Sequence, residues 1–142
     1  MRIIDLTHTF TPDMPMYPGD PKATLEQVAF LEKDSFNDHK LTTVMHVGTH
    51  MDAPLHMIGD GKRIDEIPPE RFFGKGKLID VRGKMNIDKS VLDGVIIEKD
   101  SIVLLYTGFG SKYRIDDYFK GYPDLKEDFA KKGDQHMLGI LK

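Results

Sequence analysis

The chain has 142 residues, 39% hydrophobic and 30% charged, and a formal net charge of −3, the composition of one ordinary globular domain spanning residues 1–142. That charge gives no electrostatic case for a nucleic-acid partner or an anionic membrane surface. Cysteine is absent, which excludes disulfides and thiolate metal sites and fits a cytoplasmic location.

Met1-Arg2-Ile3-Ile4-Asp5 lacks the apolar run of a signal peptide, and no stretch is long and apolar enough for a transmembrane helix. No internal repeat, low-complexity tract or interdomain linker stands out. Arg2 to Thr7 reads as a first strand. Thr11 to Pro21 is a loop dense in proline and glycine, long for a plain connection, and long loops are more often functional. Tyr17 and Asp20 within it are candidate pocket residues. The plainer reading, a surface turn stiffened by Pro15, Pro18 and Pro21, stands beside that one, and composition leaves both open. Ala23 to Leu31 reads as one or two strands, and Glu32 to His39 as a polar loop. Lys40 to Val47 is a strand rich in Thr and Val.

That strand runs into His46-Val47-Gly48-Thr49-His50-Met51-Asp52-Ala53-Pro54-Leu55-His56, eleven residues holding three of the six histidines. His46, His50, Asp52 and His56 share one parity and Val47, Met51, Ala53 and Leu55 the other, so an extended chain would have a polar and a mostly apolar face. Pro54 argues against a helix through His56. A straight strand fails too: at ~3.3 Å per residue His46 and His50 would lie ~13 Å apart. Two imidazoles that bind one ion at ~2.0–2.1 Å must come much closer than that. The backbone therefore has to bend, and Gly48 is the residue that permits a bulge or a positive φ. Pro54 then fixes the turn that carries His56. Imidazole and carboxylate suit zinc first and manganese second. A further histidine beyond the ligand set suits a general base. A single histidine on a half-buried strand is usually a hydrogen-bonded structural residue. Three histidines and an aspartate in this pattern favour a metal site.

After that stretch, Ile58 to Lys62 is a turn on its glycines, and Arg63 to Glu70 is irregular. Phe72 and Phe73 read as core plugs. Lys77 to Arg82 is a strand whose Asp80 reads as a solvated or capping strand-end residue. Asp88 is placed to cap a short helix through Leu92. Ser101 to Thr107 is the most apolar run and the expected central strand. It ends in Gly108-Phe109-Gly110, a turn of a kind that often brings backbone N–H groups to a ligand. Asp116 to Phe119 reads as one helical turn. Asp124 to Lys132 reads as a helix capped by Asp124, with Leu125 and Phe129 on one face and Gly133 as terminator.

The central stretch resembles the His-x-Gly-Thr-His-x-Asp-x-Pro-x-His signature of the cyclase-like metal-dependent hydrolases, which include bacterial kynurenine formamidases and isatin hydrolases. His46, Gly48, Thr49, His50, Asp52, Pro54 and His56 match every fixed position. Ile4-Asp5-Leu6-Thr7-His8 and Met14-Pro15-Met16-Tyr17-Pro18-Gly19-Asp20-Pro21 are similar to the family's opening strand and Tyr-Pro-Gly-Asp loop. The resemblance implies a mixed α/β fold of the swivelling β/β/α type, with strands around a mixed sheet and a few short helices. It implies metal ligands at His46, His50 and Asp52, a catalytic base at His56, and a substrate loop carrying Tyr17 and Asp20. It implies metal-dependent hydrolysis of a small-molecule amide, such as the aryl formamide of tryptophan breakdown or a cyclic amide. Hydrolysis of an ester or lactone is the neighbouring alternative within the family.

Family members usually run on for several dozen residues, and their later segments add a histidine and a glutamate to the metal site. This chain is therefore expected to be a C-terminally short member. His136 is the only late histidine in reach, and the helix before it favours Met137-Leu138-Gly139-Ile140 as an ordinary strand, which leaves His136 out of the ligand set. A short member leaves apolar surface and strand edges to cover, so a homo-oligomer is expected. A metal-binding homologue without activity, serving as a structural or partner subunit, is the reading from a different class.

Overall fold

The computed structural model describes residues 2–132 and 137–141, the last five as backbone. The chain forms two compact units, Met1–Asp52 and Ala53–Lys142.

The first unit is built on a hairpin. Strand β1 (Thr24–Ala29) pairs antiparallel with β2 (Asp38–Thr42), with Glu26 opposite Lys40 and a bulge between Gln27 and Ala29. Opposite charges facing across a pair favour this register. The connection holds a short helix, α1 (Leu31–Asp34), where a loop was expected. Its start is held by the Asp34 carboxylate, which accepts from Phe30 N–H at 2.9 Å, and by Asn37 Oδ1, which accepts from Leu31 N–H at 2.9 Å. It ends at Ser35, whose φ is 66°. The expected strand over Arg2 to Thr7 does not form: the segment is exposed and irregular, with Ile3 80% and Leu6 60% exposed. A strand needs a ladder partner, and none of the described strands pairs with it. The buried apolar side chains of this unit are Met14, Ala23, Ala29 and Val47.

The second unit centres on a parallel sheet in the order β3 (Gly76–Asp80), β5 (Ile102–Tyr106), β7 (Met137–Leu141). The apolar run read as a central strand is the middle one. Alternation along it buries Val103 and Leu105 on one face. These pack with Ile79, Val81, Ile87, Leu92 and Phe129 into one core, with Val91, Val95, Ile97 and Leu125 partly buried against it. A second parallel pair joins β4 (Asn86–Ile87) to β6 (Asp124–Leu125). This pairing shortens the predicted helix. Asp124 N–H donates to Met85 C=O and Lys126 N–H to Ile87 C=O, so Asp124 and Leu125 are strand and α2 runs only over Glu127–Lys132. Phe129 still faces the core, 2% exposed. Gly133 and His136 lie outside the described residues.

Short 3-10 helices fill the connections. Asp88 caps the one over Lys89–Leu92, accepting from Ser90 N–H at 2.8 Å, and Asp116–Phe119 forms the single turn read from sequence. Phe73 is 79% exposed, which corrects its reading as a core plug. It follows the turn Pro69–Phe72 in extended geometry, and of the two adjacent aromatics only Phe72 turns inward, half-buried. Among the described residues no helix is long and apolar enough to cross a membrane.

Candidate metal centre

Strand β2 stops at Thr42, five residues before the expected end, and the backbone from Met45 to Thr49 is a run of bends. These bends include Gly48, whose φ of 64° lies in the left-handed region that side chains with a Cβ avoid. The bend required by the histidine spacing is therefore present. The two-faced ribbon is not: Val47 is 8% exposed, but Met45 is 88% and Met51 65% exposed, because the curled backbone abandons strict alternation.

The curl brings three side chains together. His46 Nδ1 lies 2.9 Å from His50 Nε2 and 3.2 Å from Asp52 Oδ1. His50 Nε2 lies 3.5 Å from the same carboxylate oxygen. The two rings meet edge to face, centroids 4.5 Å apart. Ligands bound tetrahedrally at ~2.0–2.1 Å sit ~3.3–3.4 Å from one another. The three observed separations bracket that value, so this donor set fits a small divalent cation. Among the described residues it is the only group of three or more such side chains that does.

One contact sets the tautomer of His50. His50 Nδ1 lies 2.8 Å from the Gly48 carbonyl oxygen. A carbonyl only accepts, so Nδ1 carries a proton, and in the neutral ring Nε2 then turns its lone pair toward His46 and Asp52. The kink thus both bends the chain and sets the tautomer. Thr49 Oγ1 accepts from His8 N–H at 3.1 Å and ties the N-terminal segment to the ligand stretch.

Tyr17 and Asp20 sit at the two ends of one turn, Asp20 N–H donating to Tyr17 C=O at 3.0 Å. Pro18 and Gly19, φ 102°, occupy its centre, the residue pair a type II turn favours. Tyr17 is 52% exposed and Asp20 half-buried. The loop is joined to the ligand stretch by Met14, which sequence reading passed over. It is 3% exposed, and a Cβ added to Gly48 would lie 2.7 Å from its Cε. The available signal was a long apolar side chain in a proline loop, beside a glycine-dependent bend elsewhere.

His56 belongs to the second unit. It is exposed, on the 3-10 helix Pro54–His56, with Pro54 at the first position, where its missing N–H costs nothing. His56 N–H donates to Ala53 C=O at 2.9 Å. The turn is closed by Leu55 N–H donating to Lys62 C=O at 3.1 Å. Gly61 makes this possible: a Cβ there would lie 2.6 Å from the Pro54 carbonyl carbon and 2.7 Å from Leu55 N.

In that unit, Asp80 ends β3 and accepts from Arg82, whose Nη2 lies 2.6 Å from Oδ2. Hydrogen bonds from Arg82 hold the Asp80 carboxyl below the usual carboxylate range and raise Arg82 in turn. The guanidinium lies 4.9 Å from the Tyr106 ring centroid. The Arg82 stem covers Gly108, φ 70°, where a Cβ would lie 3.0 Å from Cγ. The Gly108 turn does not offer its next amide to a ligand: Phe109 N–H is taken by Thr107 Oγ1 at 3.2 Å.

The sequence profile of the cyclase family matches residues 4–134. A kynurenine formamidase of Bacillus cereus is 30% identical over 128 residues, covering 89% of this chain and 60% of that protein. The chain thus spans about 60% of the length of the curated relatives it matches. The solved structure of isatin hydrolase A from Labrenzia aggregata, bound to benzyl benzoate, superposes with a TM-score of 0.80 at 24% identity, covering 98% of this chain and 67% of that one. A structure described as a potential metal-dependent hydrolase with cyclase activity gives 0.75 at 26%, covering 96% and 66%.

Proposed function

This chain belongs to the cyclase family, and on that premise we propose that it is a metal-dependent hydrolase of amides. His46, His50 and Asp52 hold the cation, zinc foremost and manganese second. The substrate is an aryl formamide of the N-formylkynurenine kind or a small cyclic amide. The observation that carries this reading is the convergence of His46 Nδ1, His50 Nε2 and Asp52 Oδ1 within one bend of chain. The names of the relatives supply the substrate class.

The cation, when bound, supplies Lewis acidity: it polarises a carbonyl and brings the pKa of a water molecule down toward ~7. The chain supplies the rest. His50 is held in one tautomer by Gly48, so its Nε2 needs no reorganisation to act as a ligand. Asp52 contributes the negative charge of the set. His56 follows Asp52 by four residues. Its imidazole takes the proton from the attacking water and returns it to the leaving nitrogen as the C–N bond breaks, giving a carboxylate and an amine. Tyr17 and Asp20, presented on their turn, contact the substrate. Self-association belongs to the same proposal, supported by Leu25, Val28, Phe30, Leu31, Phe36 and Leu41, apolar side chains left exposed around the hairpin. So does a cytoplasmic setting, which a cysteine-free chain suits.

The test is a hydrolysis panel with added zinc or manganese, comprising an aryl formamide, a cyclic amide, an ester and a lactone. Turnover of an amide confirms the proposal. Turnover confined to the ester or lactone reassigns the substrate. A protein that binds zinc but turns over nothing in the panel is a binding subunit, not an enzyme.

A further inference from the structure

We propose that Met14 is a positioning residue for the cation site: seated on Gly48, its side chain holds the left-handed bend that aims His50. The proposal rests on the reading of His46, His50 and Asp52 given above, but half of its test does not need a metal.

The ligand stretch lies at the surface, tied through Thr49 to His8. His46, Gly48, Thr49, His50, Met51 and Asp52 are all exposed, and Val47 alone among them and its neighbours is buried. A glycine in the left-handed region is the most permissive backbone position a chain has, so its conformation must be imposed from outside. Met14 is placed to impose it. Its backbone is fixed by a turn, Met14 N–H donating to Thr11 C=O at 3.0 Å, and by Pro15 after it. Its side chain fills the space a Cβ on Gly48 would need, with Cε 2.7 Å and Sδ 3.4 Å from that point and Phe10 next at 4.0 Å.

What Met14 holds is chemically consequential. The Gly48 carbonyl receives the His50 Nδ1 proton at 2.8 Å, and only that arrangement leaves Nε2 bare toward His46 and Asp52. An unbranched, flexible thioether suits a seat against a bare α-carbon, where a branched side chain would meet the backbone sooner. Met14 is not one of the three candidate ligands. It acts through the orientation of a peptide group, as outer partners of metal ligands do.

The experiment has two readouts on the full chain, for the parent, Met14→Ala and Met14→Leu. Zinc affinity is measured by chelator competition, and the His50 tautomer by nitrogen-15 NMR of the metal-free protein in alkaline buffer. Met14→Ala is expected to weaken zinc binding ~10–100-fold, the usual worth of an outer partner, and to turn a single Nδ1–H tautomer into a mixture. Met14→Leu restores bulk without reach and is expected to fall between the two. Zinc affinity within about threefold of the parent in Met14→Ala, with the tautomer unchanged, would overturn the proposal. Should Met14→Ala not fold, Met14→Leu decides alone: a mixed tautomer supports the proposal and a parental spectrum overturns it. A parent that binds no zinc sinks the proposed function while leaving the tautomer test in force.

Discussion

At the scale of single residues, the site is set by which atom of each side chain is available. His50 has Nδ1 committed to the Gly48 carbonyl and Nε2 turned toward His46 and Asp52. The carboxylate of Asp52 lies within 3.2 Å of His46 and 3.5 Å of His50, so it balances charge whether a proton or a metal sits between them. Protons and cations compete for such ligands, so zinc affinity is expected to fall as the solution is acidified, seen as a rising dissociation constant in chelator titrations. His56→Ala is expected to keep its metal and lose ~10²–10⁴ in turnover. Steady-state rates beside metal content check this, and unchanged turnover removes His56 from the chemistry. The convergence of His46, His50 and Asp52 was legible in the sequence, because two histidines on either side of a glycine can share an ion only if the chain bends there. Met14 was not. Its role depends on packing against a residue far along the chain, and in sequence it is one apolar side chain among prolines.

Among the elements, the turn that carries His56 depends on a glycine chosen for space rather than for φ. Gly61 lies against the backbone of Pro54 and Leu55, atoms that cannot swing aside as a side-chain tip can. Gly61→Ala is expected to displace the His56 turn and lower turnover ~10²-fold, the cost of a small misplacement of a catalytic group. Zinc affinity, measured in parallel, should not change. Strand β5 carries the core, and Leu105, fully buried, is its centre. Leu105→Ala is expected to cost about 2–5 kcal/mol in denaturant unfolding. At the end of β3, Arg82 holds the Asp80 carboxyl below its ordinary range. A depressed folded pKa gives stability that is present above the unfolded pKa and lost as pH falls through the folded one. Asp80→Asn should therefore flatten the acid limb of the stability profile and leave its alkaline limb alone. β5 was legible because a continuous apolar run bounded by glycine has few other uses. β6 was not, because its two residues look helical until Met85 accepts from Asp124, and Ile87 from Lys126 just beyond them. The first strand failed for the converse reason: Ile3, Ile4 and Leu6 look like strand, but pairing is decided by a partner.

For the molecule as a whole, the hairpin unit leaves several large apolar side chains exposed, Phe30 at 46% and Phe36 at 55%, with Leu25 opposite Leu41 across the strands. Apolar side chains exposed together mark interaction surfaces more often than single ones do. Light scattering at micromolar concentration is expected to give a mass above that of one chain, and a monomer would remove self-association from the proposal. The proposed cation site rests instead on one bend of chain. Equilibrium dialysis against zinc followed by elemental analysis tests it most directly, on the parent, His50→Ala and Asp52→Ala. About one ion per chain in the parent, with affinity lost by ~10²-fold or more in each variant, is the expected result for three protein ligands. A parent that takes up no zinc, or variants that hold it as tightly as the parent, would contradict it.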